Sequence, residues 1–265
     1  MRSCARAATL PVRIEDMQLS GMEKGLSIEA RRQPRGQKHL HALLNAALPQ
    51  DCLLCAMPDA GDLLCANCLA DLPLLTPQHC PICALPTPGA AICGECLQHP
   101  PQFDATYATF AYGFPLDRLV QGFKYGHQLA LAGLFARLMH RAGAPQADLM
   151  IALPLSTQRL RERGFNQATE IAKPLARACN ISLDLFGATR IIDTSAQTAL
   201  PWKERRANVR HAFECALDLG GKSVVVIDDV MTTGATLDEF ARVLKLQGAA
   251  HVSNWVLART LKHEP

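Results

Sequence analysis

Eight of the eleven cysteines in this chain fall into four Cys-x-x-Cys pairs: Cys52/Cys55, Cys65/Cys68, Cys80/Cys83 and Cys93/Cys96. Nine residues separate the first pair from the second, and nine separate the third from the fourth. The stretches CLLCAMPDAGDLLCANCL and CPICALPTPGAAICGECL align without a gap. Beyond the cysteines they share Ala56/Ala84, Pro58/Pro86, Gly61/Gly89 and Leu69/Leu97, a duplication with a period of 28 residues. Each Cys-x-x-Cys turn presents two thiolates on one side of a knuckle, and two knuckles complete a tetrahedron around Zn²⁺. The expectation is two structural Zn²⁺ ions, because a closed Cys₄ set leaves no position for water or substrate. The metal supplies folding energy that so small a core cannot. An iron–sulfur cluster or a redox dithiol accounts for neither matched set. One ion per repeat is the simpler pairing; Cys52/Cys55 with Cys80/Cys83 is the alternative. Cys4, Cys179 and Cys215 stand alone and read as ordinary thiols.

Charge sets this segment apart. Residues 1–50 carry eight Lys/Arg and four Asp/Glu, whereas residues 51–103 carry five Asp/Glu and no Lys or Arg. Residues 104–265 carry nineteen Lys/Arg and fifteen Asp/Glu. Eight thiolates and two Zn²⁺ make the middle segment more anionic still, so a nucleic-acid backbone would be repelled there. The segment reads as a structural cap or a surface for a protein partner. The expected organisation is a loose extension over residues 1–38, a double zinc ribbon over 39–103 and an enzyme-sized domain over 104–265. There is no apolar run of membrane-spanning length and no signal-peptide pattern, so no membrane insertion and a cytoplasmic location are expected. A net charge of +3 is too small to argue for nucleic acid by itself.

Helical spacing covers residues 39–48, 116–139, 167–178 and 236–247; Pro174 must sit in the first turns of its helix or kink it. Strand patterns cover residues 103–112, 148–155, 182–192, 222–227 and 251–258. Their alternation predicts an α/β fold, a parallel sheet with flanking helices, with ligands at the carboxyl ends of the strands.

The most informative of those ends is VVVIDDVMTTGATL, residues 224–237. A buried strand delivers Asp228 and Asp229 to its carboxyl edge, a turn rich in Thr and Gly follows, and a helix begins. N–H groups at a helix N-terminus form an anion site. Gly234 permits close backbone approach, and Thr232, Thr233 and Thr236 add hydroxyls. The two carboxylates suit vicinal sugar hydroxyls. A nucleotide-hydrolysing P-loop is excluded, since Gly221-Lys222-Ser223 precedes the strand and position 216 is Ala.

VVVIDDVMTTGATL resembles the motif for 5-phosphoribosyl-1-pyrophosphate (PRPP) in type I phosphoribosyltransferases. FKYG (123–126), RLRERGFNQ (159–167) and Gln197…Arg205-Arg206-Ala207-Asn208…Ala212-Phe213 narrow the resemblance to the ComF family, whose members carry an N-terminal cysteine-rich zinc module. The resemblance covers about residues 40 to 260. It implies catalytic ribose contacts from Asp228 and Asp229, and 5-phosphate contacts from Thr232, Thr233, Gly234, Ala235 and Thr236. It implies pyrophosphate contacts from Arg159 and Arg163, with Arg161 beside them. A mobile loop over residues 193–210, carrying Lys203, Arg205 and Arg206, would close over the substrate. The implied reaction is transfer of phosphoribosyl to an acceptor with release of pyrophosphate, Mg²⁺ accompanying PRPP. The alternative is a PRPP-sensing or single-stranded-DNA-handling protein of DNA uptake. The cations of the C-terminal domain would then carry the DNA.

Overall fold

The computed structural model describes residues 50–58, 63–192 and 209–261. The extension over 1–38, the helix expected over 39–48 and nearly all of the expected mobile loop, with Lys203, Arg205 and Arg206, lie outside them. Elements are labelled in chain order among the described residues. Contacts divide the chain into two compact units, Met1–Asp71 and Leu72–Pro265. The division falls inside the segment that charge marks off, because the second cysteine repeat is hydrogen-bonded into the sheet unit. Thr106 N donates to Pro81 O (3.1 Å) and Gln102 N to Asp238 Oδ1 (2.6 Å).

The first unit contributes the first pair of knuckles and helix α1 (Ala66–Ala70). The second opens with the other pair and α2 (Gly94–Gln98). Its main sheet contains β1 (Ala105–Ala111), β2 (Leu149–Ala152), β3 (Ser182–Asp184), β6 (Ser223–Met231) and β7 (His251–Arg259). All four pairings are parallel, in the order β1-β7-β6-β2-β3. Val224, Val225, Val226 and Ile227 are fully buried, as a central strand covered on both faces requires.

Between β1 and β2 run α3 (Leu116–Tyr125) and α4 (Leu131–Ala142). Helix α5 (Thr157–Arg163) and helix α6 (Gln167–Cys179) lead from β2 to β3, and α7 (Ala235–Leu246) joins β6 to β7. From β2 the chain steps outward through α6 to β3; from β6 it steps the other way through α7 to β7. Right-handed crossovers running in opposite directions place α6 and α7 on opposite faces. Helix α6 packs on α4, β2 and β6, and α7 packs on β7. Trp255, Phe110, Phe123, Phe135 and Phe240 anchor the core. No helix of the described residues is long and apolar enough to cross a membrane.

Three local expectations need correction. The helix expected over 116–139 is two helices, broken at Gly126. There the backbone folds so close to Gly122 that a Cβ would lie 2.8 Å from Gly122 O. The strand expected over 182–192 is also two. Asp184 Oδ1 accepts from Phe186 N (3.1 Å) and Gly187 N (2.7 Å), and this turn ends β3. The chain resumes as β4 (Ala188–Arg190), antiparallel to β5 (Phe213–Cys215) in a separate small sheet. Of the two expectations for Pro174, the first turns or a kink, the first is excluded, since it is the eighth of thirteen residues in α6.

Candidate active site

The two cysteine repeats share the hydrogen bonds of their knuckles. In the first, Ala56 N donates to Cys52 O (2.8 Å), Cys52 N to Met57 O (2.9 Å) and Leu69 N to Cys65 O (3.0 Å). In the second, Ala84 N donates to Cys80 O (2.8 Å), Cys80 N to Leu85 O (2.7 Å) and Leu97 N to Cys93 O (3.0 Å). Ala56 and Ala84 share a left-handed conformation, φ 56 and 59°. The Cys52 sulfur accepts from the N–H groups of Leu54, Cys55 and Cys65; the Cys80 sulfur accepts from those of Ile82, Cys83 and Cys93. Burial alone would push both thiols up. The N–H donors outweigh it and hold Cys52 down at about 6 and Cys80 at about 7. Both are thus substantially thiolate at neutral pH, which a metal ligand requires.

Cys52, Cys55, Cys65 and Cys68 lie with their sulfurs within 4.8 Å of one another, and so do Cys80, Cys83, Cys93 and Cys96. Sequential pairing is therefore the arrangement, not the interleaved one. A tetrahedron with Zn–S of about 2.3 Å has edges of about 3.8 Å. The Cys55–Cys65 and Cys83–Cys93 sulfur separations are 3.7 and 3.5 Å. The donor sets fit Zn²⁺ in number, softness and spacing.

The crossovers leaving β2 and β6 diverge, so a crevice opens at the carboxyl ends of these neighbouring strands. Into it β6 carries Asp228 and Asp229, whose side chains alternate across the strand. Asp229 is 7% exposed and Asp228 half-buried. Lys124, in the last turn of α3, places Nζ 2.6 Å from Asp229 Oδ2. Burial alone would depress the Lys124 ammonium; Asp229, and Asp228 behind it, more than offset that and hold it above its ordinary value. Among the described residues Asp228 has no such ion pair of its own. Burial first, and the Asp229 charge second, push its carboxyl up to about 8.

Beyond Asp229 the strand continues to Met231, and the turn at Thr232 and Thr233 leads to Gly234, the N-cap of α7. Gly234 has φ 84°, and a Cβ there would meet Met231 Cε at 2.6 Å. Glycine is favoured by the left-handed backbone, and any side chain there would also have to displace the Met231 methyl. With no side chain at the cap, the N–H groups of the first turn of α7 keep no capping acceptor from it. These are the donors an anion would use. Thr232 is exposed, while Thr233 and Thr236 are half-buried beside it.

The third wall comes from α5 and the start of α6. Ser156 Oγ accepts from Arg159 N (3.4 Å) and starts α5; Gly164, φ 76°, ends it. Arg159 and Arg163, four apart, share one side of α5, where both are half-buried. Arg161 is exposed. Arg163 Nη1 donates to Gln167 Oε1 (3.0 Å), Nη2 to Tyr125 Oη (3.3 Å), and the guanidinium lies 5.2 Å from the centre of the Tyr125 ring. Arg163 is close enough to Lys124 for their charges to repel. Gln167 Nε2 is buried without a partner among the described residues, a donor that calls for an acceptor. The structure brings Asp228, Asp229, Lys124 and Arg163 close together, and the loop from Thr232 to Thr236 follows the two aspartates along the chain. Arg159 is placed only by its half-buried position on the same helix face as Arg163.

Sequence reasoning singled out FKYG as a motif without giving its lysine a role; a lone cation in an otherwise apolar helix end was the available signal. It also passed over Gln167, and Arg259 at the end of β7, which no motif marks.

Residues 43–97 match the family model described as a double zinc ribbon domain, and residues 163–264 match that of the phosphoribosyl transferase domain. The DNA utilization protein YhgH of Salmonella typhi is 34% identical over 172 residues, spanning 62% of this chain and 76% of that protein. Competence protein F of Haemophilus influenzae is 33% identical over 172 residues, spanning 60% and 74%. Competence protein ComFC of Bacillus subtilis is 33% identical over 118 residues, spanning 42% and 45%.

Proposed function

This chain belongs to the ComF family, and from that premise we propose that it binds PRPP in the β2/β6 crevice and displaces its pyrophosphate with an acceptor. One observation carries the reading: paired carboxylates at the end of β6, with a buried lysine against one of them, stand next to a helix N-terminus whose N-cap, Gly234, brings no side chain to its N–H groups. The N–H groups and hydroxyls from Thr232 to Thr236 take the 5-phosphate. Asp228 and Asp229 accept from the ribose hydroxyls, with Lys124 holding Asp229 in place. Arg159 and Arg163 face the pyrophosphate, and Gln167 Nε2 finds its acceptor there. Lys203, Arg205 and Arg206 close over it. Mg²⁺ accompanying the substrate would supply neutralising charge for the leaving pyrophosphate. Positioning and charge stabilisation suffice for displacement through an oxocarbenium-like transition state, so no covalent nucleophile is needed.

The Asp228 carboxyl gives a test in which stability and binding move in opposite directions. Its folded-state value lies above the unfolded one, so the native state holds the extra proton. Ionised Asp228 therefore lowers stability increasingly as pH rises from about 4 toward 8. Asp228→Asn should melt no lower than the parent at pH 8, and its advantage should vanish at pH 4. The same variant should bind PRPP at least about tenfold more weakly in calorimetric titration. Unchanged affinity in both Asp228→Asn and Asp229→Asn would remove the ribose assignment.

A second reading is favoured by the relatives' names, which speak of DNA utilization and competence. Single-stranded DNA would lie on the sheet unit and not on the first cysteine repeat, because residues 51–103 carry no Lys or Arg. Its phosphates would use the cations assigned to pyrophosphate, so PRPP and salt should both displace labelled DNA in anisotropy measurements. Displacement by salt alone would separate the two sites.

A further inference from the structure

Arg259, the last residue of β7, is 3% exposed, and its guanidinium is surrounded by backbone carbonyls. Nε donates to Cys83 O at 2.7 Å. Nη1 donates to Met231 O (3.1 Å), to Thr260 O (2.9 Å) and to Thr232 O. One side of the guanidinium thus grips a cysteine of the second cluster. The other grips the two peptides that open the phosphate loop. Beside this link the second repeat and the loop are separated by a cavity of about 360 Å³, lined by Leu85, Cys96, His99 and Phe103 from one side and Thr233 and Gly234 from the other. Arg259 bridges them by hydrogen bonds.

Peptide geometry says what the grip accomplishes. In a trans peptide the C=O and N–H point in opposite directions. Holding Met231 O and Thr232 O toward Arg259 turns the N–H groups of Thr232 and Thr233 away from it. Those two N–H groups begin the anion cradle. Metal bound at the second cluster fixes the knuckle that presents the Cys83 carbonyl to Arg259, and loss of the metal would release that carbonyl.

We propose that Arg259 is a positioning residue coupling metal occupancy of the Cys80/Cys83/Cys93/Cys96 cluster to the shape of the phosphate loop, so that PRPP binding and metal retention reinforce each other. The proposal rests on reading Thr232–Thr236 as the phosphate cradle. Coupling between two binding sites is reciprocal. PRPP should therefore raise the zinc affinity of the second cluster by the factor by which zinc raises PRPP affinity, and slower zinc loss to a chelator is the expected readout. The Cys52/Cys55/Cys65/Cys68 cluster belongs to the other compact unit and should not respond.

The test uses the zinc-loaded full-length protein and a chromogenic chelator in excess Mg²⁺, with and without PRPP. A companion with Cys52→Ser and Cys55→Ser identifies which phase of zinc release is which. PRPP should slow the second-cluster phase by about fivefold or more and leave the first unchanged. Weak chelation of zinc by PRPP itself would act in the opposite sense. Arg259→Lys keeps the charge but cannot reach both groups of carbonyls; it should retain two zinc ions, bind PRPP about tenfold more weakly and lose the protective effect. If calorimetry on the same preparation shows PRPP bound while both phases keep their rates, the coupling is wrong and the functional reading stands. If no PRPP binds, the functional reading falls and takes the coupling with it. Should Arg259→Lys fail to fold, the comparison on the parent protein decides the question alone.

Discussion

Cys80→Ser or Cys96→Ser will damage the sheet unit far more than Cys52→Ser or Cys68→Ser. All four changes remove one ligand from a Cys₄ set, and each should reduce zinc from two ions per chain to one. The consequences diverge because the second cluster lies within the compact unit of the sheet. Its knuckles hold the Cys83 carbonyl against Arg259 and the Pro81 carbonyl against Thr106. A structural zinc site contributes about 10–16 kcal/mol of binding free energy, comparable with the whole stability of about 5–15 kcal/mol of a typical domain. The sheet unit should lose its cooperative transition, or melt more than about 10 °C lower, when the second cluster is broken. Its transition should survive loss of the first. Zinc analysis combined with circular dichroism melts distinguishes the cases, and equal shifts for the two clusters would show that the second is no part of the sheet's stability.

Lys124→Met should be the most costly single change in the crevice. Lys124 and Asp229 are both largely buried, and their 2.6 Å ion pair sits beside a second carboxyl. Removing the cation leaves Asp229 charged, buried and next to Asp228. Breaking one partner of such a pair costs about 3–5 kcal/mol, a fall in Tm on the order of 10 °C for a unit of this size. Lys124→Met combined with Asp229→Asn should melt higher than Lys124→Met alone, because the orphaned charge is gone. Neither variant should recover PRPP affinity. A double variant no more stable than Lys124→Met would mean that the pair is not what holds α3 to β6.

Much of this was legible from spacing. The 28-residue duplication foretold two matched clusters, and the structure repeats even their N–H to sulfur bonds. The apolar run before Asp228 and the glycine at position 234 foretold the strand, turn and helix of the phosphate loop. What escaped reading depends on contacts between distant segments. Periodicity could not break the helix at Gly126, since the cause is a close approach to Gly122 rather than a change of pattern. Asp229 reads as a solvated acid until α3 is folded onto β6 and brings Lys124 to it. Charge marked residues 51–103 as one material, yet the units part at Asp71, because charge does not report which carbonyls the sheet receives. Arg259 stands outside every motif; only its four carbonyl partners give it a role.

The central claim is that the end of β6 is built for PRPP. Calorimetric titration of the zinc-loaded protein with PRPP and Mg²⁺, beside separate titrations with ribose 5-phosphate and pyrophosphate, tests it most directly. The expected result is one saturable site per chain, with PRPP bound at least about tenfold more tightly than either fragment, since only the whole molecule engages the loop, the carboxylates and the arginines together. Absence of a saturable heat with PRPP, or pyrophosphate bound as tightly as PRPP, would contradict it.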